Sequence, residues 1–286
     1  MDAKTFFITG VSSGFGNAFG RRFLAGGHTV VGTVRRAEDA ANFEKLADGT
    51  SGRAVARLLD VTDDEAVFAT VADVERSVGP IDVVIANAGY GHEGVFEESP
   101  MSELRRQFDV NVFGAVATLK AALPYMRQRR RGHLMAVTSM AGLMTVPGLT
   151  YYHGSKYALE GILESLSKEV RGLGISVTAI SPGSFRTDWA GRSMVRTERC
   201  IPDYDPVMDP QREHRRAAHG NQLGDPDKAA EAVLSVVGSP EPPVHMVLGS
   251  DALRLITDGR KAVDEEIARW ADLSRSTDFP DGMQLR

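Results

Sequence analysis

The sequence has little of what several common protein classes require. Cys200 is the single cysteine among 286 residues, which excludes an internal disulfide and a cysteine-based metal cluster. Basic residues are not in excess, because 33 Lys and Arg stand against 38 Asp and Glu, for a net charge of −5. A nucleic-acid binder needs a basic surface, so we predict no nucleic-acid partner. The seven histidines lack metal-binding spacings such as His-Glu-x-x-His, and we predict no metal.

A membrane-spanning helix is not expected either. The stretch from Gly132 to Ser155 has no Asp, Glu, Lys or Arg and is long enough to cross a bilayer. It is interrupted by residues that break helices, namely Gly142, Pro147, Gly148 and Gly154. We interpret it as a buried strand followed by a loop that lines an apolar pocket. Because a strand-like run begins at Thr5, no signal peptide is predicted and we expect a cytoplasmic protein.

Strand-like and helix-like segments alternate through the first 180 residues. Near-continuous runs of Val, Ile and Leu predict strands at Thr5–Thr9, His28–Val34, Arg53–Leu59, Ile81–Ala86, His133–Thr138 and Ile175–Ile180. Helical patterns lie between them at Asn17–Ala25, Asp63–Val78, Met101–Arg130 and Tyr152–Arg171. Pro124 is expected to kink the longest of these helices. This alternation predicts an α/β fold: a Rossmann-like, doubly wound parallel sheet with helices on both faces.

The regular alternation of strands and helices stops after the first 180 residues. Residues 184–225 are polar and proline-containing, with no clean period, and we expect an irregular substrate lid there. The charge run Arg212–Arg216 within it is interpreted as solvated surface, with contact to an acidic substrate as the alternative. Regular structure resumes with a helix at Pro226–Val237, a strand at Val244–Leu248 and helices after Asp251. No linker interrupts the chain, so 1–286 is predicted to be one domain.

A glycine-rich turn follows the first strand and opens the first helix. It is Gly-x-x-x-Gly-x-Gly, formed by Gly10, Gly14 and Gly16, one residue longer than the common dinucleotide fingerprint. Glycines at this position allow the backbone to approach a pyrophosphate at a helix N-terminus. The alternative is a tight turn that binds nothing, and the strand-turn-helix context favours the cofactor.

The second motif is Tyr152-His-Gly-Ser-Lys156. Residues four apart share one face of a helix, so the phenol and the amine point into the same site. A nearby ammonium is expected to lower the pKa of the tyrosine, which suits it as a general acid or base. Alone, this spacing is common on protein surfaces. His153 is left unassigned.

Several further motifs agree in order, and together the sequence resembles the short-chain dehydrogenase/reductase family from Lys4 to Thr187. The family's cofactor segments match Gly10, Ser12, Ser13, Gly14, Phe15, Gly16, Asp60, Val61, Asn87, Ala88, Gly89, Pro182, Gly183 and Thr187. Its catalytic tetrad matches Asn111, Ser139, Tyr152 and Lys156, with Ser139 thirteen residues before the tyrosine. The match weakens beyond Thr187.

The resemblance implies a role for each tetrad residue. Ser139 holds a substrate oxygen, and Tyr152 donates a proton to it or accepts one. Lys156 binds the nicotinamide ribose and lowers the tyrosine pKa, and Asn111 holds a water that links Lys156 to solvent. The implied reaction interconverts a secondary alcohol and a ketone or aldehyde by hydride transfer with NAD(P).

The end of the second strand predicts which cofactor is used. NAD-preferring folds place an acidic residue there to bind the ribose hydroxyls, but this chain has Val34 followed by Arg35 and Arg36. We predict that Arg35 binds the 2′-phosphate of NADP, with Ser12 as a neutral neighbour. The alternative is that both arginines are solvated.

Apolar residues flank the tetrad, and the substrate is predicted to be partly lipophilic. They are Met140, Leu143, Met144, Val146, Pro147, Phe185 and Trp189. The long helices carry apolar residues on more than one face, for example Leu159, Ile162 and Leu166. This pattern, and the resemblance, predict a homodimer or homotetramer.

Two other functions fit parts of the pattern. A non-catalytic NADP(H)-binding sensor would retain the fold, but we would expect it to have lost a member of the tetrad. A sugar-nucleotide epimerase also uses a Tyr-Lys pair, but its glycine loop is one residue shorter and its C-terminal domain larger.

Overall fold

The computed structural model describes residues 2–191, 193–218 and 220–279, so residues 192 and 219 of the predicted lid lie outside it. Its main sheet has seven strands, all paired in parallel. They are β1 (Thr5–Thr9), β2 (Thr29–Val34), β3 (Arg53–Leu58), β4 (Val83–Ala86), β6 (Gly132–Val137), β7 (Ile175–Pro182) and β9 (His245–Leu248). A second, two-stranded sheet pairs β5 (Gly91–Glu93) with β8 (Met194–Arg196). The predicted parallel sheet is confirmed, with strand ends within about two residues of the expected positions.

Helices cover both faces of the sheet. In chain order they are α1 (Gly14–Ala25), α2 (Ala37–Glu44), α3 (Asp64–Ser77), α4 (Met101–Phe108), α5 (Ala115–Arg129), α6 (Thr150–Val170), α7 (Asp205–Ala218), α8 (Pro226–Val237), α9 (Ser250–Arg269) and α10 (Ala271–Arg275). None of the helices in the described ranges is both long and apolar enough to cross a membrane.

The strand order fixes where a ligand can bind. It runs β3-β2-β1-β4-β6-β7-β9, so the chain winds outward from β1 in one direction and from β4 in the other. The loops after β1 and β4 therefore separate at their carboxyl ends and leave a crevice. In doubly wound sheets, ligands bind in this crevice.

Side chains alternate along each strand and build one apolar core on each face. In β1, Phe7 packs with the core under α3, α5 and α6, whereas Phe6 and Ile8 pack with the core under α1 and α8. All three are fully buried. Burying a side chain of this size contributes roughly 1.5–3 kcal/mol, so the two cores hold the strand ends rigidly.

Three features differ from the sequence-based expectations. Helix α2 was not predicted, and it packs through Phe43 against Gly32 of β2. The predicted helix Met101–Arg130 is interrupted by a π-helical segment, Asp109–Gly114, and not at Pro124, through which α5 continues. Regular structure also enters the segment expected to be irregular, as helix α7 and strand β8.

The charge run of α7 is only partly solvated surface: Glu213, His214 and Arg216 are exposed, but Arg212 and Arg215 are half-buried. Arg212 and Arg215 both lie against one oxygen of Glu93, at 3.5 and 3.3 Å, and Arg196 lies 3.3 Å from the other oxygen. The Glu93 side chain is only 2% exposed. The two arginines on α7 therefore attach this helix to β5, which corrects the interpretation made from the sequence.

Candidate active site

The glycine loop after β1 has the backbone geometry that only glycine adopts easily. Gly10 and Gly14 have φ angles of +73° and +56°. A Cβ on Gly16 would lie 2.2 Å from the carbonyl oxygen of Gly10. These positions keep the turn tight and leave the N-terminus of α1 open toward the crevice.

Asn87, at the end of β4, braces this loop. Its side-chain amide donates hydrogen bonds of 2.9 Å to the carbonyls of Thr9 and Gly10. The main-chain N–H groups of Asn87 and Ala88 both donate to the Thr9 hydroxyl at 3.0 Å. Asn87 and Ala88, which follow β4, therefore fix the shape of the glycine loop on the other side of the crevice.

Arg35 and Asp60 lie at the open end of the crevice, after β2 and β3. Thr62 donates two hydrogen bonds to Asp60, and these, aided by the charge of Arg35, hold the pKa of the Asp60 carboxyl below its usual range. Arg36 pairs with Glu38 and Asp39 at 2.9 and 2.8 Å. Arg35 makes no hydrogen bond with the residues described, and it is one of the residues that line the crevice.

Tyr152, Ser139 and Lys156 meet at the other end. Ser139 follows β6, where its hydroxyl accepts a 3.1 Å hydrogen bond from the Ala141 N–H. Lys156 is only 6% exposed, and its amine lies 5.7 Å from the centre of the Tyr152 ring. One turn of α6 separates the phenol and the amine, as the spacing predicted.

The pKa of Tyr152 is raised, whereas the sequence predicts that the nearby Lys156 lowers it. Burial raises it to about 12, and polar contacts with the Ser139 hydroxyl and the Trp189 indole N–H oppose that rise. Lys156 is not among the groups that lower it, and its amine donates a 2.8 Å hydrogen bond to the Val137 carbonyl. Burial also lowers the pKa of Lys156, to about 8. The phenol is therefore protonated at neutral pH.

One continuous cavity of about 700 Å³ joins the two ends. Most of the predicted site residues line it: Gly10, Ser12, Ser13, Gly14, Phe15, Arg35, Asp60, Val61, Asn87, Ala88, Gly89, Ser139, Tyr152, Lys156, Pro182, Gly183 and Thr187. Gly16 and Asn111 do not line it; Gly16 packs beneath the loop and Asn111 behind Tyr90. The cavity thus runs from a phosphate-binding type of loop to a Ser-Tyr-Lys cluster.

Comparison with known proteins agrees with this architecture. Residues 4–196 match the short chain dehydrogenase family. The chain belongs to the short-chain dehydrogenase/reductase family. It is 35% identical to the oxidoreductase BOA17 of Botryotinia fuckeliana, over 95% of this chain and 98% of that protein. It is 30% identical to a 3-ketodihydrosphingosine reductase of Bacteroides thetaiotaomicron, over 95% and 97% of the two chains. A short-chain dehydrogenase from Streptomyces avermitilis has the same fold, with a TM-score of 0.89, 37% identity and coverage of 97% of this chain and 100% of its own.

The residues present fit the nicotinamide dinucleotide that this family of oxidoreductases uses. Gly10 approaches Ala88 so closely that an added Cβ would lie 3.0 Å from the Ala88 Cα. The positive φ of Gly14 excludes most other residues beside the cavity wall. A backbone cradle of this kind, at the opening of a helix, is suited to a pyrophosphate.

Asn111 lies in the π-helical segment Asp109–Gly114, between α4 and α5. Its side-chain amide donates to the Tyr90 carbonyl at 3.0 Å and the Ser155 hydroxyl at 3.2 Å, and its oxygen accepts from the Tyr90 N–H. Both donors of the amide are thus used within the protein. Short π segments are frequent at functional sites, and here the segment places Asn111 against α6.

His153, which the sequence left unassigned, holds the loop after Ser139. Its Nε2 accepts a 3.0 Å hydrogen bond from the Val146 N–H, so the proton on Nδ1 faces the Ala141 carbonyl at 2.8 Å. Burial lowers the pKa of His153, which keeps the neutral ring that this pairing requires. The residue is a structural support of the substrate side of the site.

Of three further residues near the tetrad, only Tyr90 was not named from the sequence: Trp189 was predicted in the apolar lining, and Arg215 lies in the charge run whose alternative was a substrate contact. Trp189 packs its ring 5.2 Å from that of Tyr152, and its buried N–H lacks the geometry of a full hydrogen bond to any described group. Tyr90 lies under Arg106, at 5.5 Å. Arg215 reaches the cavity from α7. Their proximity to the tetrad depends on how the segments after β4 and β7 fold back, which no local pattern encodes.

Proposed function

We propose that the protein is an NADP(H)-dependent oxidoreductase that interconverts a secondary alcohol and a ketone or aldehyde, with Tyr152 as the general acid and base. The observation that supports this most strongly is the single cavity joining the glycine loop to Ser139, Tyr152 and Lys156. The 3-ketodihydrosphingosine reductase relative is named for a keto substrate, which agrees with a carbonyl as the reacting group.

Ser139 and Tyr152 would handle the substrate oxygen. The Ser139 hydroxyl holds a carbonyl oxygen toward the phenol, and Tyr152 donates the proton that this oxygen takes up on reduction. Because burial raises the pKa of Tyr152 to about 12, the phenol carries its proton at neutral pH. This state suits Tyr152 to donate a proton to a carbonyl oxygen.

Lys156 and Asn111 would support this proton transfer. The ammonium of Lys156 binds a ribose hydroxyl and stabilises negative charge that develops near the phenol. Asn111, in the π segment between α4 and α5, would hold a water that links Lys156 to solvent through the remaining acceptor capacity of its amide oxygen, because both of its N–H donors are bonded within the protein. The cofactor, when bound, supplies or accepts the hydride, while these side chains provide position and charge.

The glycine loop and the ends of β2, β3 and β4 would hold the dinucleotide. Asp60 and Val61 would contact the adenine, and Pro182, Gly183 and Thr187 would contact the nicotinamide. Arg35 would select NADP, because it lines the crevice at the strand end where an NAD-preferring site has a carboxylate. Arg36 is already paired with Glu38 and Asp39.

We further propose a partly lipophilic substrate. The substrate end of the cavity is lined by the apolar side chains of Met140, Met144, Val146, Leu149, Phe185 and Trp189. Leu143 and Pro147, which the sequence also suggested, lie outside this lining. Apolar walls with a few polar anchors are typical of sites for small molecules.

The protein is also proposed to be a homodimer or homotetramer. On α6, Leu159 is buried and Leu166 packs against the same core, so of the three residues singled out only Ile162 faces outward. Stronger support comes from the helices around the π segment, where Met101 and Phe113 are each 57% exposed beside a groove that also includes Phe108. This surface suits a second copy of the chain.

A panel of carbonyl compounds tests the proposal. NADPH oxidation is followed with aliphatic and aromatic ketones and aldehydes, and with small charged carbonyl compounds. We expect turnover of several apolar members and little turnover of the charged ones. NADPH binding without turnover of any member would favour a non-catalytic sensor, and turnover of small charged members alone would contradict the lipophilic site.

A further inference from the structure

A buried carboxylate lies one helical turn beyond Lys156 on α6. Glu160 is only 4% exposed and accepts three side-chain hydrogen bonds. They come from the hydroxyls of Thr138 at 2.5 Å and Ser181 at 2.7 Å, and from Nδ1 of His245 at 3.0 Å. Thr138 directly follows β6, Ser181 lies in β7 and His245 begins β9. The carboxylate is therefore held against three neighbouring strands of the sheet, β6, β7 and β9.

Lys156 and Glu160 reach consecutive residues of the same strand end. The Lys156 amine donates to the carbonyl of Val137, and the Glu160 carboxylate accepts from the hydroxyl of the next residue, Thr138. Spacing of four residues also places both side chains on one face of α6. The turn after Ser139 covers them closely, because a Cβ on Gly142 would lie 2.8 Å from Glu160 Cγ and from the Lys156 carbonyl oxygen.

An ammonium buried at 6% exposure is costly unless an opposite charge compensates it. The other charged or titratable groups near this region are Tyr152 and Glu164 on α6 itself, His245 on β9 and Arg260 on α9. Of the carboxylates, Glu164 is half-exposed and paired with Lys168 at 2.8 Å. Glu160 is the charged group that raises the pKa of Lys156 against the effect of burial.

We propose that Glu160 is a positioning residue whose carboxylate, fixed by Thr138, Ser181 and His245, supplies the buried counter-charge that keeps Lys156 an ammonium. The inference rests on the proposed function, in which that ammonium binds the cofactor ribose. It assigns Glu160 no contact with substrate or cofactor. A charged Lys156 would thus depend on the carboxylate of Glu160, four residues further along α6.

The test is the pH dependence of NADPH binding, measured by cofactor fluorescence from pH 6 to pH 10. Glu160→Gln keeps the length of the side chain and an oxygen acceptor but removes the charge. In the wild type, binding should weaken as Lys156 loses its proton, with a midpoint near its pKa of about 8. Loss of a nearby opposite charge lowers the pKa of an ammonium, so we expect the midpoint to fall by about 1 pH unit or more.

Matched variants separate charge from structure. Glu164→Gln removes a carboxylate from the next turn of α6, beside the same His245, and should leave the midpoint unchanged. Glu160→Asp keeps the charge and should restore a midpoint near that of the wild type, even at lower stability. Should Glu160→Gln not fold, Glu160→Met tests the same loss of charge with an apolar side chain of similar length.

Each result decides one point. An unchanged midpoint in a folded Glu160→Gln protein contradicts the inference. So does an equal weakening of binding at every pH, which would mean a structural role only. Wild-type binding that does not vary between pH 6 and pH 10 also contradicts it, but leaves the proposed function standing. A wild type that binds no NADPH at any pH contradicts the proposed function itself.

Discussion

The amine of Lys156 donates a 2.8 Å hydrogen bond to the main-chain carbonyl of Val137, at the end of β6. It lies 5.7 Å from the centre of the Tyr152 ring. One buried side chain thus links the helix that carries the phenol to the edge of the sheet where the crevice opens. Its removal should affect both the geometry and the charge of the site.

Lys156→Ala should weaken NADPH binding and also slow turnover. Hydrogen bonds to a charged group contribute roughly 1.5–3 kcal/mol, so we expect about 10- to 150-fold weaker binding. Fluorescence titration and steady-state kinetics measure the two effects separately. Lys168→Ala, an exposed lysine of the same helix, is the control and should match the wild type. A Lys156→Ala enzyme with unchanged NADPH affinity would contradict the role given to this amine.

Arg35→Ala should remove most of the preference for NADP(H) over NAD(H). One charge-assisted hydrogen bond to the 2′-phosphate corresponds to a preference of about 10- to 150-fold in kcat/KM. Activity with NADH should change little, since NADH lacks that phosphate. The measurement is kcat/KM with both cofactors for the wild type and the variant.

Arg36→Ala is the matched control for this experiment. Its guanidinium is engaged by Glu38 and Asp39, so the variant should keep the wild-type preference. Equal wild-type efficiency with the two cofactors would overturn the assignment of Arg35. A loss of preference in Arg36→Ala alone would move the phosphate site to that residue.

Gly16→Ala should damage the cofactor loop. The added Cβ would lie 2.2 Å from the Gly10 carbonyl oxygen, a main-chain atom that cannot move without opening the turn. We expect a loss of about 1–3 kcal/mol in the free energy of unfolding and loss of NADPH binding. Gly161→Ala on α6 meets no atom within 4 Å and should stabilise the protein by up to about 1 kcal/mol. Urea unfolding and NADPH titration of the two variants compare them; unimpaired binding by Gly16→Ala would refute this explanation.

The parts of the site that depend on local backbone conformation were easier to predict from the sequence than the parts that depend on long-range packing. The glycine loop needs positive φ angles at Gly10 and Gly14, and strand, turn and helix are encoded in adjacent residues. The spacing of Tyr152 and Lys156 depends only on the pitch of one helix. These features could be read without knowledge of long-range packing.

The remainder of the site depends on contacts between distant segments. Glu160 resembles any helix-surface glutamate until Thr138, Ser181 and His245 are brought around it. Trp189 reaches Tyr152 only because the segment after β7 folds back over the cavity. The π segment around Asn111 has a sequence that also fits a regular α-helix. Partners far apart in the chain determine each of these features.

Phe113→Glu should disrupt self-association. Phe113 is 57% exposed beside the groove of α4, and a carboxylate there would be desolvated in an apolar interface. Sedimentation should show a dimer or tetramer for the wild type and smaller species for the variant. Phe68→Glu, at an exposed phenylalanine of α3, is the control and should associate like the wild type. A wild-type monomer at micromolar concentration would refute the assembly.

Tyr152→Phe tests the role of the phenol as proton donor, because it removes the phenol oxygen and leaves the ring that packs on Trp189. NADPH titration and the rate of NADPH oxidation with a reactive carbonyl compound are measured on the same preparation. We expect nearly unchanged NADPH affinity and a rate lower by about 10²- to 10⁴-fold, the contribution of a positioned proton donor. Turnover at the wild-type rate would contradict that role.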